Sequence, residues 1–175
     1  MNDRLVIGIL GHPNAGKSKT WNKLFGRNDS QKVQTGRNER ELWLSNTKCV
    51  DVFLINGSPE ERHIPIEEII DNKTPSIVLC SMQYTQDVRK TISYFTRNDY
   101  HLFIHWLNPG FRDLNKVDDS LNLIPDILSH HSLVGIRDGK SDPAERVSEI
   151  RCFLHEWATF HNILKPNNTR LVDTE

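Results

Sequence analysis

The run Gly11-His12-Pro13-Asn14-Ala15-Gly16-Lys17-Ser18 has the residue types and spacing of the pattern G-x-x-x-x-G-K-S, which suits the chemistry of holding a chain of phosphates. Glycines at its two ends let backbone N–H groups turn inward without a Cβ in the way. A helix starting just beyond adds unpaired N–H donors and a partial positive charge aimed at the same anion. Lys17 supplies a point charge for the β- and γ-phosphates, and the Ser18 hydroxyl is a ligand for Mg2+.

Such a loop has to lie between a buried strand and a helix start, and the flanks supply both. Residues 5–10 form an almost unbroken apolar run that ends in a Gly-His-Pro-Asn turn, the pattern of a strand covered on both faces. Residues 18–25 carry Trp21, Leu24 and Phe25 at helical spacing, with Gly26 where a left-handed C-cap falls. Residues 27–40 are polar, have no apolar period and read as a mobile loop. Two extended runs, 41–45 and 49–56, flank Asn46-Thr47-Lys48 and predict an antiparallel hairpin. Strands over 76–82, 100–107 and 133–136 follow, with a helix over 86–96 through Val88, Ile92 and Phe95. The last helix opens with Asp142 as N-cap, Pro143 in its first turn and Glu145 as capping-box partner. Val147, Ile150, Leu154, Trp157, His161 and Leu164 then recur at steps of three and four. Within 110–131, Pro125 interrupts a short apolar set and no element is assigned.

The 175 residues fit one domain over 1–165 with a loose tail over 166–175. Apolar residues are 37% and charged ones 26%, which excludes a disordered acidic tail and a membrane protein. Lys plus Arg number 22 against 23 for Asp plus Glu, a net charge of -1, so a nucleic-acid partner would need a local basic patch. No apolar stretch approaches the roughly 18 residues of a membrane helix. The N-terminal run leads straight into a turn without a small-residue cleavage site, so the expectation is a cytoplasmic protein with no signal peptide and no membrane partner. Cys49, Cys80 and Cys152 are odd in number, widely spaced and set in apolar segments, and read as buried reduced thiols.

From Gly11 to Gly26 the sequence GHPNAGKSKTWNKLFG resembles the opening of the Era and TrmE-like GTPases, G-x-P-N-x-G-K-S-T-L-x-N-x-L-x-G, departing at Lys19 and Thr20. The order of elements beyond it is similar as well. The resemblance implies an α/β P-loop NTPase fold of GTPase-like kind, a doubly wound and mainly parallel sheet with one antiparallel hairpin. It implies Mg2+ and GTP or another purine nucleoside triphosphate as ligands. Gly11, His12, Pro13, Asn14, Ala15, Gly16, Lys17, Ser18 and Lys19 would bind the nucleotide, with Lys17 also catalytic. Thr35, in Gln34-Thr35-Gly36-Arg37, takes the place of the first-switch threonine that completes the Mg2+ shell and joins in catalysis. Where the family has D-x-x-G, this chain has Ile55-Asn56-Gly57-Ser58. Asn56 would then hold a metal-bound water without the charge of an Asp, and Gly57 would offer an N–H to the γ-phosphate. At the base-reading N-K-x-D stands Asn108-Pro109-Gly110-Phe111. Asn108 matches, but Phe111 accepts no hydrogen bond, which leaves both guanine and adenine open. Asp138, in the base-backing loop Arg137-Asp138-Gly139-Lys140, is the candidate replacement reader.

The expected function is Mg2+-dependent nucleoside triphosphate binding with slow hydrolysis or switching, and a protein partner meeting the loops at 27–40 and 56–65. A P-loop kinase is one alternative; it would need an arginine-rich lid, and residues 110–131 hold Arg112 alone. The other is a nucleotide-sensing scaffold that never turns over. The near-neutral charge favours neither nucleic acid nor a ribosome as partner.

Other chemistry-bearing residues have plainer readings. His101 and His105 fall on one face of a strand, His155 and His161 lie in the last helix and His130-His131 is a surface pair, but none carries a zinc-like ligand set. His12 is a filler of its loop. Trp43, Trp106 and Trp157 read as core ahead of interface anchors. Glu60-Glu61 and Glu67-Glu68 read as solvated capping charges ahead of a base or metal role, and Arg37 and Arg40 as solvated loop arginines ahead of an internal arginine finger.

Overall fold

The computed structural model describes residues 4–28, 30–110 and 118–166. Among them, seven strands and six helices build an α/β fold on a mostly parallel mixed sheet. β1 (Arg4–Gly11) is buried along all but its first residue, so both of its faces need cover. Its flanks are β4 (Ile77–Gln83) and β5 (Tyr100–Leu107), both parallel to it. Outward from β4 come β3 (Lys48–Ile55), parallel, and β2 (Arg40–Trp43), antiparallel; outward from β5 comes β6 (Ser132–Arg137), parallel. The short β7 (Lys165–Pro166) pairs antiparallel with the start of β3.

Side chains alternate along a strand, which splits the core into two halves. On one face Leu5, Ile7 and Ile9 pack with Trp21 and Leu24 of α1 (Lys17–Leu24) and with Val147, Ile150 and Leu154 of α6 (Ala144–Phe160). On the other, Val6 and Leu10 pack with Ile66 and Ile70 of α3 (Ile66–Ile70), Ile92 and Phe95 of α4 (Val88–Arg97) and Ile127 of α5 (Leu123–Leu128). The chain leaves β1 over one face toward β2 and β3, then passes from β4 over the other face to β5. Strand order therefore reverses beside β1, and the crevice beyond the carboxyl ends of such strands is where open α/β sheets place ligands. None of the helices among the described residues is long and apolar enough to cross a membrane.

The predicted hairpin is present, closed by Leu44 and Ser45 N–H groups that both donate to the Lys48 carbonyl. Several expectations need correction. Residues 27–40 are not a free loop, because Val33 is buried in the core and pinned from both sides. Within 110–131, where the sequence assigns no element, α5 forms with Pro125 as its third residue, in the first turn, where no intrahelical N–H bond is lost. Asp119 caps that start, accepting from Leu123 and Ile124 N–H at 2.9 Å each. Cys152 is exposed, since the buried stripe of α6 runs through Val147, Ile150, Leu154 and Ala158 and leaves position 152 outside; Cys49 and Cys80 are buried. Trp43 is 37% exposed on the outermost antiparallel strand instead of lying in the core, whereas Trp106 is buried. Pro166, read as the first residue of a loose tail, belongs to β7; residues 167–175 lie outside the described residues.

Candidate functional site

Gly11 ends β1 and Lys17 opens α1, so the segment 11–18 wraps the carboxyl end of a buried strand. Gly16 holds φ at 107°, a left-handed conformation that a side chain resists. Asn14, at φ 60°, belongs to the residue types that tolerate this region. Lys17 folds back over the loop. Its Nζ donates to the Gly11 carbonyl at 3.1 Å and the His12 carbonyl at 2.8 Å, and it stands 3.6 Å from Glu61 Oε1. Asn14, Ala15, Gly16, Lys17, Ser18 and Lys19 form one wall of a cleft of about 350 Å3, within the range of small-ligand sites. Asn22, Lys32, Asn56 and Glu61 complete its lining. A larger groove of about 760 Å3 runs between α2 (Pro59–Arg62) and α3 on one side and α4 on the other, with mixed charges and no such loop.

The depth of the site follows from how α1 is fixed. Trp21 is fully buried and its Nε1–H donates to Ser81 Oγ of β4 at 2.9 Å. Thr20, one of the two departures from the family pattern, is also fully buried and accepts from Arg146 Nε at 2.9 Å, which ties α1 to α6. Asn22 and Asn56 act as a pair: Asn22 Oδ1 accepts the Val33 N–H at 3.0 Å, and Asn56 Nδ2 donates to the Val33 carbonyl. One residue of the 27–40 segment is thereby fastened to α1 and to the end of β3.

Glu61 reaches the cleft through α2 (Pro59–Arg62). Ser58, buried, accepts the Glu61 N–H at 3.2 Å, and Pro59 occupies the first helical position. The neighbouring Glu60 turns the other way. Its Oε2 accepts the Gln83 N–H of β4 at 2.9 Å and its Oε1 accepts from the Thr91 hydroxyl of α4. Glu60 is thus a structural tie as well as a first-turn charge, whereas Glu61 stands exposed in the first turn of α2, as a solvated capping charge requires, and also borders the cleft. Glu67 and Glu68 lie in the first turn of α3, as a capping role requires.

The remaining sequence candidates divide. β4 stands between β1 and β3, so the end of β3 lies two strand spacings, about 10 Å, from β1. Across that gap Asn56 still lines the cleft, and its Oδ1 is buried without a hydrogen-bond partner. Gly57 does not line it, because its N–H points to Thr35 Oγ1 at 3.4 Å. That hydroxyl oxygen also accepts the Asn56 N–H at 3.0 Å, so Thr35 caps β3 and stands outside the cleft. Pro13 is exposed at the rim, and His12, half-buried, packs on Tyr84 with ring centroids 5.1 Å apart. Arg37 and Arg40 do not line the cleft.

At the far side, Asn108 is buried and its N–H donates to the Arg137 carbonyl at 3.0 Å. Gly139 seals this corner: its N–H donates to the Pro109 carbonyl at 2.8 Å, and a Cβ there would stand 2.4 Å from the Ala15 carbonyl oxygen. The 137–140 loop is therefore pressed against the 11–18 loop. Asp138 is exposed and its Oδ1 accepts the Lys140 N–H at 2.7 Å, a local turn bond. Phe111 and Arg112 lie outside the described residues.

Behind the site, His105 is fully buried on β5, with both ring nitrogens lacking hydrogen bonds. Burial pushes its pKa down to about 4 against the pull of Glu149, whose carboxylate is 3.4 Å away. Glu149 is held below the usual carboxylate range, first by its hydrogen bonds with Arg137. His101 shares the α6 side of the strand, beside Trp157 and His131. No group of three or more metal-ligating side chains assembles among the described residues.

Lys32, Asn22 and Glu61 are the cleft residues that sequence reading did not assign to a site. The Ser58-Pro59-Glu60-Glu61 helix-start signature was a usable signal for the last of them. Comparison with protein-family models, with curated proteins and with solved structures finds no match.

Proposed function

We propose that the chain binds a nucleoside triphosphate with Mg2+ in the cleft at 11–19, on a GTPase-like P-loop architecture, and works as a slow hydrolase or switch. One observation carries this reading: Lys17 is buried, bent over its own loop by two carbonyls, and already faces an anion, the Glu61 carboxylate at 3.6 Å. A phosphate in that place would receive the same cation together with the N–H groups at the start of α1.

The residues present also suit a divalent ion. Ser18 is exposed at the cleft, and the buried, unpartnered Oδ1 of Asn56 is an acceptor suited to a metal-bound water. Mg2+, when bound, neutralises charge on the β- and γ-phosphates. Thr35 would have to release two backbone N–H groups to join it. Slow turnover follows from the chain's own groups. Asn56 brings no negative charge, and Glu61, the one carboxylate lining the cleft among the described residues, pairs with Lys17.

The test is calorimetric titration with slowly hydrolysed GTP and ATP analogues, with and without Mg2+, beside Lys17→Ala. Binding lost in a variant whose circular dichroism is unchanged supports the reading, and undiminished binding refutes it. Preference between the two analogues decides the base.

A further inference from the structure

Two routes lead from one buried side chain to neighbouring residues of the 11–18 loop. Arg146, in the first turn of α6, is 3% exposed. Its Nε donates to Thr20 Oγ1 at 2.9 Å, and the Thr20 hydroxyl donates in turn to the Gly16 carbonyl at 3.3 Å. Its Nη1 donates to the carbonyls of Asp138 and Ser141 at 3.2 and 3.3 Å, on either side of Gly139. Gly139 itself presses on the Ala15 carbonyl oxygen. One route therefore ends on the Gly16 carbonyl and the other on that of Ala15. The arrangement is costly. The acceptors of Arg146 are a hydroxyl and two carbonyls, none of them charged, and its Nη2 is buried without a partner. A buried cation held by neutral groups costs free energy that a well-packed apolar side chain would not. What the guanidinium supplies is a planar fork that reaches α1 and the 137–140 loop at once.

We infer that Arg146 is a positioning residue for the phosphate site, fixing the peptide units 15–16 and 16–17 before any ligand arrives. A trans peptide is planar, with its N–H opposite its C=O, so holding the Ala15 and Gly16 carbonyls aims the N–H groups of Gly16 and Lys17 the other way. Gly16 stands at φ 107° with no side chain of its own to hold it there, so the restraint has to come from outside the loop. Donors aimed in advance receive an anion without the cost of ordering them. The inference rests on the phosphate reading of the cleft, since those N–H groups matter only if an anion meets them.

The test uses inorganic tripolyphosphate, which carries no nucleoside, as a calorimetric probe at a temperature where circular dichroism shows each variant folded. Thr20→Val removes the hydroxyl that links Arg146 to Gly16 and should weaken binding about tenfold, the scale of one hydrogen bond to a charged group. Thr20→Ser keeps the hydroxyl and should bind as the wild-type chain does. Arg146→Met should lose at least as much as Thr20→Val, and adding Thr20→Val to it should cost nothing more, because both cut one brace. The amide resonance of Gly139 should shift in Thr20→Val together with that of Gly16, although the two lie on different routes. Undiminished affinity in Thr20→Val, an equal loss in Thr20→Ser, an unmoved Gly139 resonance or losses that add in full in the double variant each overturn the inference and leave the cleft reading intact. The two Thr20 variants decide the matter even where Arg146→Met does not fold. A probe that binds the wild-type chain no better than Lys17→Ala removes the cleft reading itself.

Discussion

Glu61 competes with the ligand for Lys17, and the size of that competition follows from the geometry. At 3.6 Å two unit charges attract by about 1 kcal/mol in a water-like medium and about 5 kcal/mol at an effective dielectric of 20. The Glu61 side chain is 38% exposed, which places the pair near the weaker end, where measured exposed pairs contribute about 0.2–1 kcal/mol. Replacing Glu61 by Gln keeps the shape and leaves the α2 cap in place, because Ser58 receives the backbone N–H of Glu61 and not its side chain. Removing about 1 kcal/mol of competition predicts binding of the Mg2+-free triphosphate tightened about fivefold in Glu61→Gln. Calorimetry with a chelator present, at about 0.1 M and about 1 M salt, reads this directly, and the gain should shrink as the screening length falls. An unchanged or weaker affinity at low salt would show that Glu61 is no rival of the phosphates. A loss confined to titrations with Mg2+ would place Glu61 on the metal side of the site.

Three further outcomes are expected. Gly139→Ala should displace the 137–140 loop from the Ala15 carbonyl, costing on the order of 1–3 kcal/mol and weakening nucleotide binding; an unaltered melting temperature and affinity would contradict the packing described. His105 holds fewer protons folded than unfolded between about pH 4 and its ordinary value of 6.5, so stability should rise with pH across that window. His105→Leu should flatten the slope of melting temperature against pH and stabilise the protein at acid pH; a slope that persists would assign it to other groups. Lys17→Ala should lose triphosphate binding with its circular dichroism spectrum intact, and retained affinity would remove the lysine from the site.

What the sequence made legible was local. The 5–10 run, the glycine-bounded loop and the Trp21–Leu24 spacing determine a strand, turn and helix within about two dozen residues, and the structure places them as read. The same held for the hairpin at 40–55, where turn residues and two extended runs are adjacent. Pairings between distant segments were not readable. The insertion of β4 between β1 and β3 arises from sheet packing, and the Lys17–Glu61 contact from where that packing leaves α2. Val33 was hidden because a single apolar residue in a polar stretch has no period, although its burial decides how that stretch lies. Trp43 and Cys152 were misplaced for the opposite reason, since an apolar residue type says nothing of which face its element presents.

The double attachment of Val33 makes it a reporter. Its amide hydrogen is held by Asn22, its carbonyl by Asn56, and both of those side chains line the cleft. Deuterium reaches that amide only when its bond to Asn22 opens and the buried Val33 is uncovered. The exchange rate of this single hydrogen therefore reports opening at Asn22, and a ligand that fills the cleft and holds Asn22 in place should slow it without any change in average structure.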